Sequence, residues 1–148
     1  MAGAFLFLVL IVLASLRELI ADKLADYGSL ATLKAATRIV PEDADYHFRL
    51  ARYYDMVARD QPGALAEFKQ AVRWNPHDGR AWIGLADIYG ASGDVEGQSD
   101  AIREAVTRAP TNPEIAWVAA NLSVSQGETE AEALANIREA IAGCLEAR

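Results

Sequence analysis

The sequence predicts an all-α fold: a solenoid of helix-turn-helix repeats, about three and a half units long, preceded by a long hydrophobic N-terminal helix. Three observations predict it. The stretch Gly28–Pro41 (GSLATLKAATRIVP) returns as Gly63–Pro76 (GALAEFKQAVRWNP) and as Gly97–Pro110 (GQSDAIREAVTRAP), with spacings of 35 and then 34 residues. Each return ends in proline, and a second amphipathic segment precedes each of the later two. Ahead of the first return, Ala2–Leu16 carries no charge. A period of this size marks small helical units that bury their apolar faces only by stacking on one another.

Taken in order, the N-terminal run comes first. Fifteen helical residues reach roughly 22 Å, less than the roughly 30 Å of a bilayer's hydrocarbon core. Leu19, Ile20, Leu24 and Tyr27 continue an apolar stripe, and a snorkelling Arg17 would add a turn of reach. One helix over Ala2–Asp26 is therefore expected, membrane-embedded at its start and amphipathic at its end. Phe5, Phe7, Leu8, Leu10, Ile11 and Leu13 are its expected membrane or assembly residues. The competing readings are a cleaved signal peptide, with Val12-Leu13-Ala14 as a small-residue site, and a core helix buried in a larger assembly. Type IV pilins also begin with a long apolar helix, but the first acid here is Glu18. A single-pass membrane location of bacterial type is expected; the side on which the repeats lie is not legible.

Residues 1–26 then lead into a repeat region, 27–148, with units at about 28–41 (partial), 44–76, 78–110 and 113–148. Gly28–Pro41 reads as a full second helix whose first helix is the end of the N-terminal rod. The first helices of the later units are expected over Tyr46–Tyr54, Ala81–Tyr89 and Ala116–Val124. Across them His47, Trp82 and Trp117 share a register, as do Leu50 with Leu85, Ala51 with Ala86, and Tyr54 with Tyr89. In the second helices Ala36, Ala71, Ala105 and Ala140 are the recurrent small position. Leu33, Phe68, Ile102 and Ile137 stand three residues before them. Small residues let helices approach, and large neighbours fill the space beside them. Pro41, Pro76 and Pro110 end the second helices, and Asn112-Pro113 begins the next unit. Glu42-Asp43-Ala44-Asp45 reads as a helix-start cap rather than a cation site.

The set Trp82, Leu85, Ala86, Tyr89, Ile102, Ala105 and Pro110 resembles the tetratricopeptide repeat (TPR), a 34-residue helix-turn-helix unit. The first full unit matches through His47, Leu50, Ala51, Tyr54, Phe68, Ala71 and Pro76, and the third through Trp117 and Ala140. Ala86 replaces the family's glycine, Gln98 stands where alanine is usual, and Ala120 and Val124 depart from the pattern. The resemblance covers about residues 28–143. It implies a scaffold with successive first helices on a concave wall. By position that wall holds Asp45, Phe48, Arg52, Asp55, Arg80, Ile83, Asp87, Ile115, Val118 and Leu122. The Lys/Arg/Asn clamp that some members use for C-terminal carboxylates is not reproduced.

Composition narrows the function. The net charge is −7, and residues 1–40 hold four bases against three acids, leaving −8 for the rest. An acidic repeat region argues against nucleic acid, whose phosphates need a basic surface. No metal set, haem motif or phosphate loop is present, and no cofactor is expected. His47 reads as a helix-packing residue in the tryptophan position, His77 as a solvated turn residue, and the lone Cys144 as an apolar filler without a base to activate it. The Asn121-Leu122-Ser123 sequon falls inside a predicted helix. With no positioned nucleophile or base, an enzyme is not expected. The last second helix, Glu130–Leu145, shows an apolar stripe of Leu134, Ile137, Ile141 and Leu145 with no polar capping helix after it; the stripe can pack back on the first helix of its own unit, and a contact with a partner or a copy is the alternative. The expected function is a non-enzymatic membrane-anchored scaffold with protein partners, copies of itself included. The alternative is a structural subunit of a filament or large membrane complex, assembled through the N-terminal helix.

Overall fold

A chain of helical hairpins fills the computed structural model, which describes residues 2–125 and isolated positions at 131, 135, 138 and 142. The expected helix Glu130–Leu145, with its stripe residues, Ala140 and Cys144, lies outside the described residues. Helix α1 (Ala2–Asp26) pairs with α2 (Leu30–Ile39), α3 (Ala44–Tyr53) with α4 (Gln61–Trp74), and α5 (Gly79–Ser92) with α6 (Val95–Arg108); α7 (Pro113–Ser125) packs on α5 and α6. No strand occurs among the described residues.

Helix starts are set by short polar side chains. Ser29, Asp43, Asp60, Asp78 and Asp94 each accept a backbone N–H in the first turn of α2 to α6. Each such cap is worth about 1 kcal/mol. Helix packing then follows the small positions. Ala36, Ala71 and Ala105 are fully shielded, as are Ala51 and Ala86, and Leu33, Phe68 and Ile102 are buried beside them. One apolar cluster joins α1, α2 and α3 through Ala21, Ala25, Leu33, Ala36, Tyr46 and Leu50. A second runs from α3 to α7 through Phe48, Phe68, Leu85, Ile102 and Ala119.

Helix α2 is shorter than expected, with ten residues against fourteen in α4 and α6. Gly28 takes a left-handed φ of 64°, and Ser29 with Thr32 closes a capping box there. The residues that match the first helical turn of α4 and α6 are here Asp26, the last of α1, and the turn and cap at 27–29. The third unit also shifts register. Trp117 is 68% exposed, whereas Ile115, Ala119 and Ala120 are buried. These three lie 34 residues after Ala81, Leu85 and Ala86, so Trp117 falls at the place of Ile83 and does not repeat Trp82. Pairing two tryptophans across 35 residues misplaces the unit by one.

The extra residue of the first full unit has a location. Tyr54–Ala58 is a π-helical turn, ended by Arg59 with a left-handed φ of 57°. In the next hairpin Tyr89 leads to Gly93 at φ 77° with one residue fewer. A single inserted residue is absorbed as wider helical turns, a common form of π-bulge. Beyond it the hairpins realign: the Gly63 N–H donates to Asp60 at 3.0 Å and the Gly97 N–H to Asp94 at 2.9 Å. Left-handed backbone costs a residue with a Cβ about 1–2 kcal/mol. Arg59→Gly should therefore raise stability, by up to about 1 kcal/mol after glycine's larger unfolded-state entropy is subtracted. Urea unfolding of the two proteins measures this; an unchanged or lower midpoint contradicts it.

Helix α1 has two halves. Its second half is docked: Ala21 and Ala25 are buried, the Tyr46 hydroxyl donates to Asp22 at 2.6 Å, and Arg17 donates to Glu42 at 2.5 Å. Arg17 is thus engaged by the turn before α3 and does not snorkel outward as expected. The first half is bare. Leu6, Phe7, Leu8, Leu10, Ile11, Val12 and Leu13 are all exposed. These near-consecutive positions span every side of a helix. The side chain of Phe5 lies outside the described ones. Among the described residues no helix is long and apolar enough to cross a membrane, so the expected single-pass span is not supported. Helix α1 is long, but its apolar part is short, because Arg17, Glu18, Asp22 and Lys23 interrupt it.

Candidate functional site

A groove of about 240 Å³ opens along the first helices of successive hairpins. Helix α3 gives Phe48 and Arg52, the π-turn gives Asp55 and Met56, α5 gives Arg80, Ile83, Gly84 and Asp87, and α7 gives Ile115 and Val118; Phe68 of α4 forms its floor. Sequence position had named most of these. Two of the expected wall residues lie elsewhere. Asp45 sits beside the groove, 2.7 Å from Arg49 and 3.7 Å from Arg80, and Leu122 packs against the second core cluster.

Three lining residues were missed by sequence reasoning. Phe68 was assigned to the core, and it is only 3% exposed, yet its ring edge reaches the groove between α3 and α5. It does so because α5 has no side chain at Gly84: a Cβ there would stand 2.4 Å from the Phe68 ring. Phe68 also packs on Phe48, ring centroids 6.0 Å apart. Met56 enters because of the π-turn, which helical periodicity alone does not reveal. The signal was nonetheless present in the unequal distances from Tyr54 to Gly63 and from Tyr89 to Gly97.

The charges of the groove divide sharply. Arg80 grips Asp78 with two bonds, 2.9 Å from Nε and 2.7 Å from Nη2, and lies 4.7 Å from the centre of the Phe48 ring. Arg52 sits 5.9 Å from the same ring and donates to the Met56 sulfur at 3.2 Å. The side-chain carboxylates of Asp55 and Asp87 have no hydrogen bond or ion pair among the described residues. The surrounding groove walls strip water from Asp87 and push its carboxyl above the usual carboxylate range, and the charge of Asp55 adds to this. Asp87 keeps contact with solvent while the groove residues around it displace part of its water.

His47 lies outside the groove, buried at the tryptophan position. Its Nε2 donates to the Pro41 carbonyl at 2.9 Å, as the Trp82 indole N–H donates to the Pro76 carbonyl at 2.9 Å. Its Nδ1 meets Glu67 at 2.6 Å, a partner the sequence reading did not name. His77 is exposed in its turn. Among the described residues no group of three or more His, Cys, Asp or Glu could hold a metal ion.

No family model matches the sequence, and no curated protein matches it. Solved structures do match in shape. One is the crystal structure of MamA, at a TM-score of 0.61 and 14% identity, covering 88% of this chain and 75% of that chain. The fold is TPR-like. At such identity the likeness carries the architecture and nothing about ligands. The groove described above runs along the first helices of successive hairpins of that fold.

Proposed function

We propose that this protein is a non-enzymatic scaffold whose groove holds an extended segment of a protein partner, with the apolar first half of α1 attaching it to a membrane. One observation carries the first part: the groove is lined by apolar Phe48, Phe68, Ile83 and Val118 together with charged Arg52, Asp55, Arg80 and Asp87. Apolar pockets with polar walls suit an extended peptide, which needs main-chain and side-chain contacts together. The attachment rests on the bare residues Leu6–Leu13, because a helix apolar on every side has no face to give to water. The same bare half favours a second reading, a structural subunit that assembles through α1 with copies of itself.

The tests separate these parts. Peptides selected from a random phage-displayed library on the purified protein should shift the methyl resonances of Ile83, Ile115 and Val118. Shifts confined to other faces, or no binding peptide at all, overturn the groove reading. For attachment, the full chain should float with vesicles of phosphatidylcholine and phosphatidylglycerol, and the chain lacking residues 2–16 should not. A full chain that ignores vesicles yet sediments as an oligomer, with the shortened chain monomeric, replaces lipid by self-assembly.

A further inference from the structure

We propose that the groove selects a partner segment by a lysine or arginine, seated between Asp55 and Asp87 and flanked by an apolar residue on the Ile83–Val118 wall. This deepens the groove reading and rests on it. The four charges lining the groove are two arginines and two aspartates, so counting alone predicts no preference. Their engagements decide. Arg80 is neutralised by a two-pronged bond to Asp78, with Asp45 3.7 Å away. Arg52 is turned onto the Phe48 ring and the Met56 sulfur. A cation held over an aromatic face is already partly satisfied. Nothing among the described residues occupies Asp55 or Asp87.

The field at Asp87 supports this. Its carboxyl is displaced upward by desolvation and by Asp55, and neither arginine offsets that displacement. The two acids therefore repel one another in the free protein. A basic side chain placed between them relieves the repulsion and gains two charge-assisted hydrogen bonds, each stronger than a neutral one. The placement is also particular to this unit. Asp55 is set on the wall by the π-turn, and the residue 35 positions later, at the matching place of the next hairpin, is Gly90. Among the described residues the acidic pocket occurs once along the groove and fixes the register of a bound segment.

The probe is the same random peptide library, with its selected sequences read out by position. Binders should carry lysine or arginine at one position. Changing that residue to norleucine should weaken binding by roughly tenfold or more, as should the Asp55→Asn/Asp87→Asn double variant, and the two losses should not add. Asparagine keeps the shape, and circular dichroism checks the fold. Peptides that shift the groove methyls but show no basic position overturn this inference and leave the groove reading standing. Enrichment of acidic peptides does the same. Unchanged affinity in the double asparagine variant also overturns it. Absence of any binder overturns both.

Discussion

Phe68→Ala is expected to lower the unfolding free energy by about 3–5 kcal/mol, the range for losing a buried phenylalanine. The ring is 3% exposed and joins α3, α4 and α5 by lying on Phe48 and against Gly84. Gly84→Ala should also destabilise, although alanine is the better helix former by about 1 kcal/mol. The new methyl would stand 2.4 Å and 2.5 Å from two carbons of the ring. The ring could leave the new methyl only by giving up its packing on Phe48, and overpacking of this kind costs about 1–3 kcal/mol. The sign of the Gly84 effect then depends on residue 68. In the Phe68→Ala background the clash is gone, and Gly84→Ala should stabilise by about 1 kcal/mol, its helix-propensity gain. Urea unfolding of the four proteins gives the cycle. A Gly84→Ala effect of the same sign in both backgrounds refutes this account of why α5 carries glycine there.

That pair also marks what sequence could and could not supply. The recurrent alanines and their large neighbours were legible, because repetition at 34–35 residues shows the same packing three times over. So was most of the groove, since one face of each first helix is fixed by where its buried residues fall. Phe68 escaped because a buried ring and a lining ring have the same sequence signature; only the absence of a side chain on α5 separates them. The third unit slipped by one residue because Trp117 resembles Trp82, while Ile115, Ala119 and Ala120 hold the true core positions. The start of α2 was misread because the motif match at Gly28 concealed a different backbone, left-handed and followed by a cap. A membrane span was read from hydropathy in a helix whose second half is tied to α3 through Asp22 and to the turn before α3 through Arg17.

Stability should fall as pH rises from below 6.5, because His47 is held as an imidazolium. Its two ring nitrogens face a carbonyl and a carboxylate, Pro41 at 2.9 Å and Glu67 at 2.6 Å, and both of these only accept. Burial opposes the charged ring. The bond to Glu67, the bond to Pro41, and the charges of Glu67 and Asp43 outweigh it, so the folded pKa lies above the ordinary 6.5. A raised pKa contributes stability in full below the unfolded value, and that contribution disappears as pH passes through the folded one. Glu67→Ala should cost about 1.5–3 kcal/mol at pH 6, the loss of a hydrogen bond to a charged group, and should flatten the slope above it. The next hairpin shows the alternative solution. Trp82 stands at the place of His47 and Ala101 at the place of Glu67, and the indole N–H makes the equivalent carbonyl bond. His47→Trp alone would crowd an unpaired Glu67 carboxylate, whereas His47→Trp/Glu67→Ala recreates the second hairpin's pair inside the first. The double variant should exceed the sum of its parts by roughly 1–3 kcal/mol and unfold at the same urea concentration from pH 6 to pH 9. A residual slope of wild-type size in that variant would assign the pH dependence to groups other than His47.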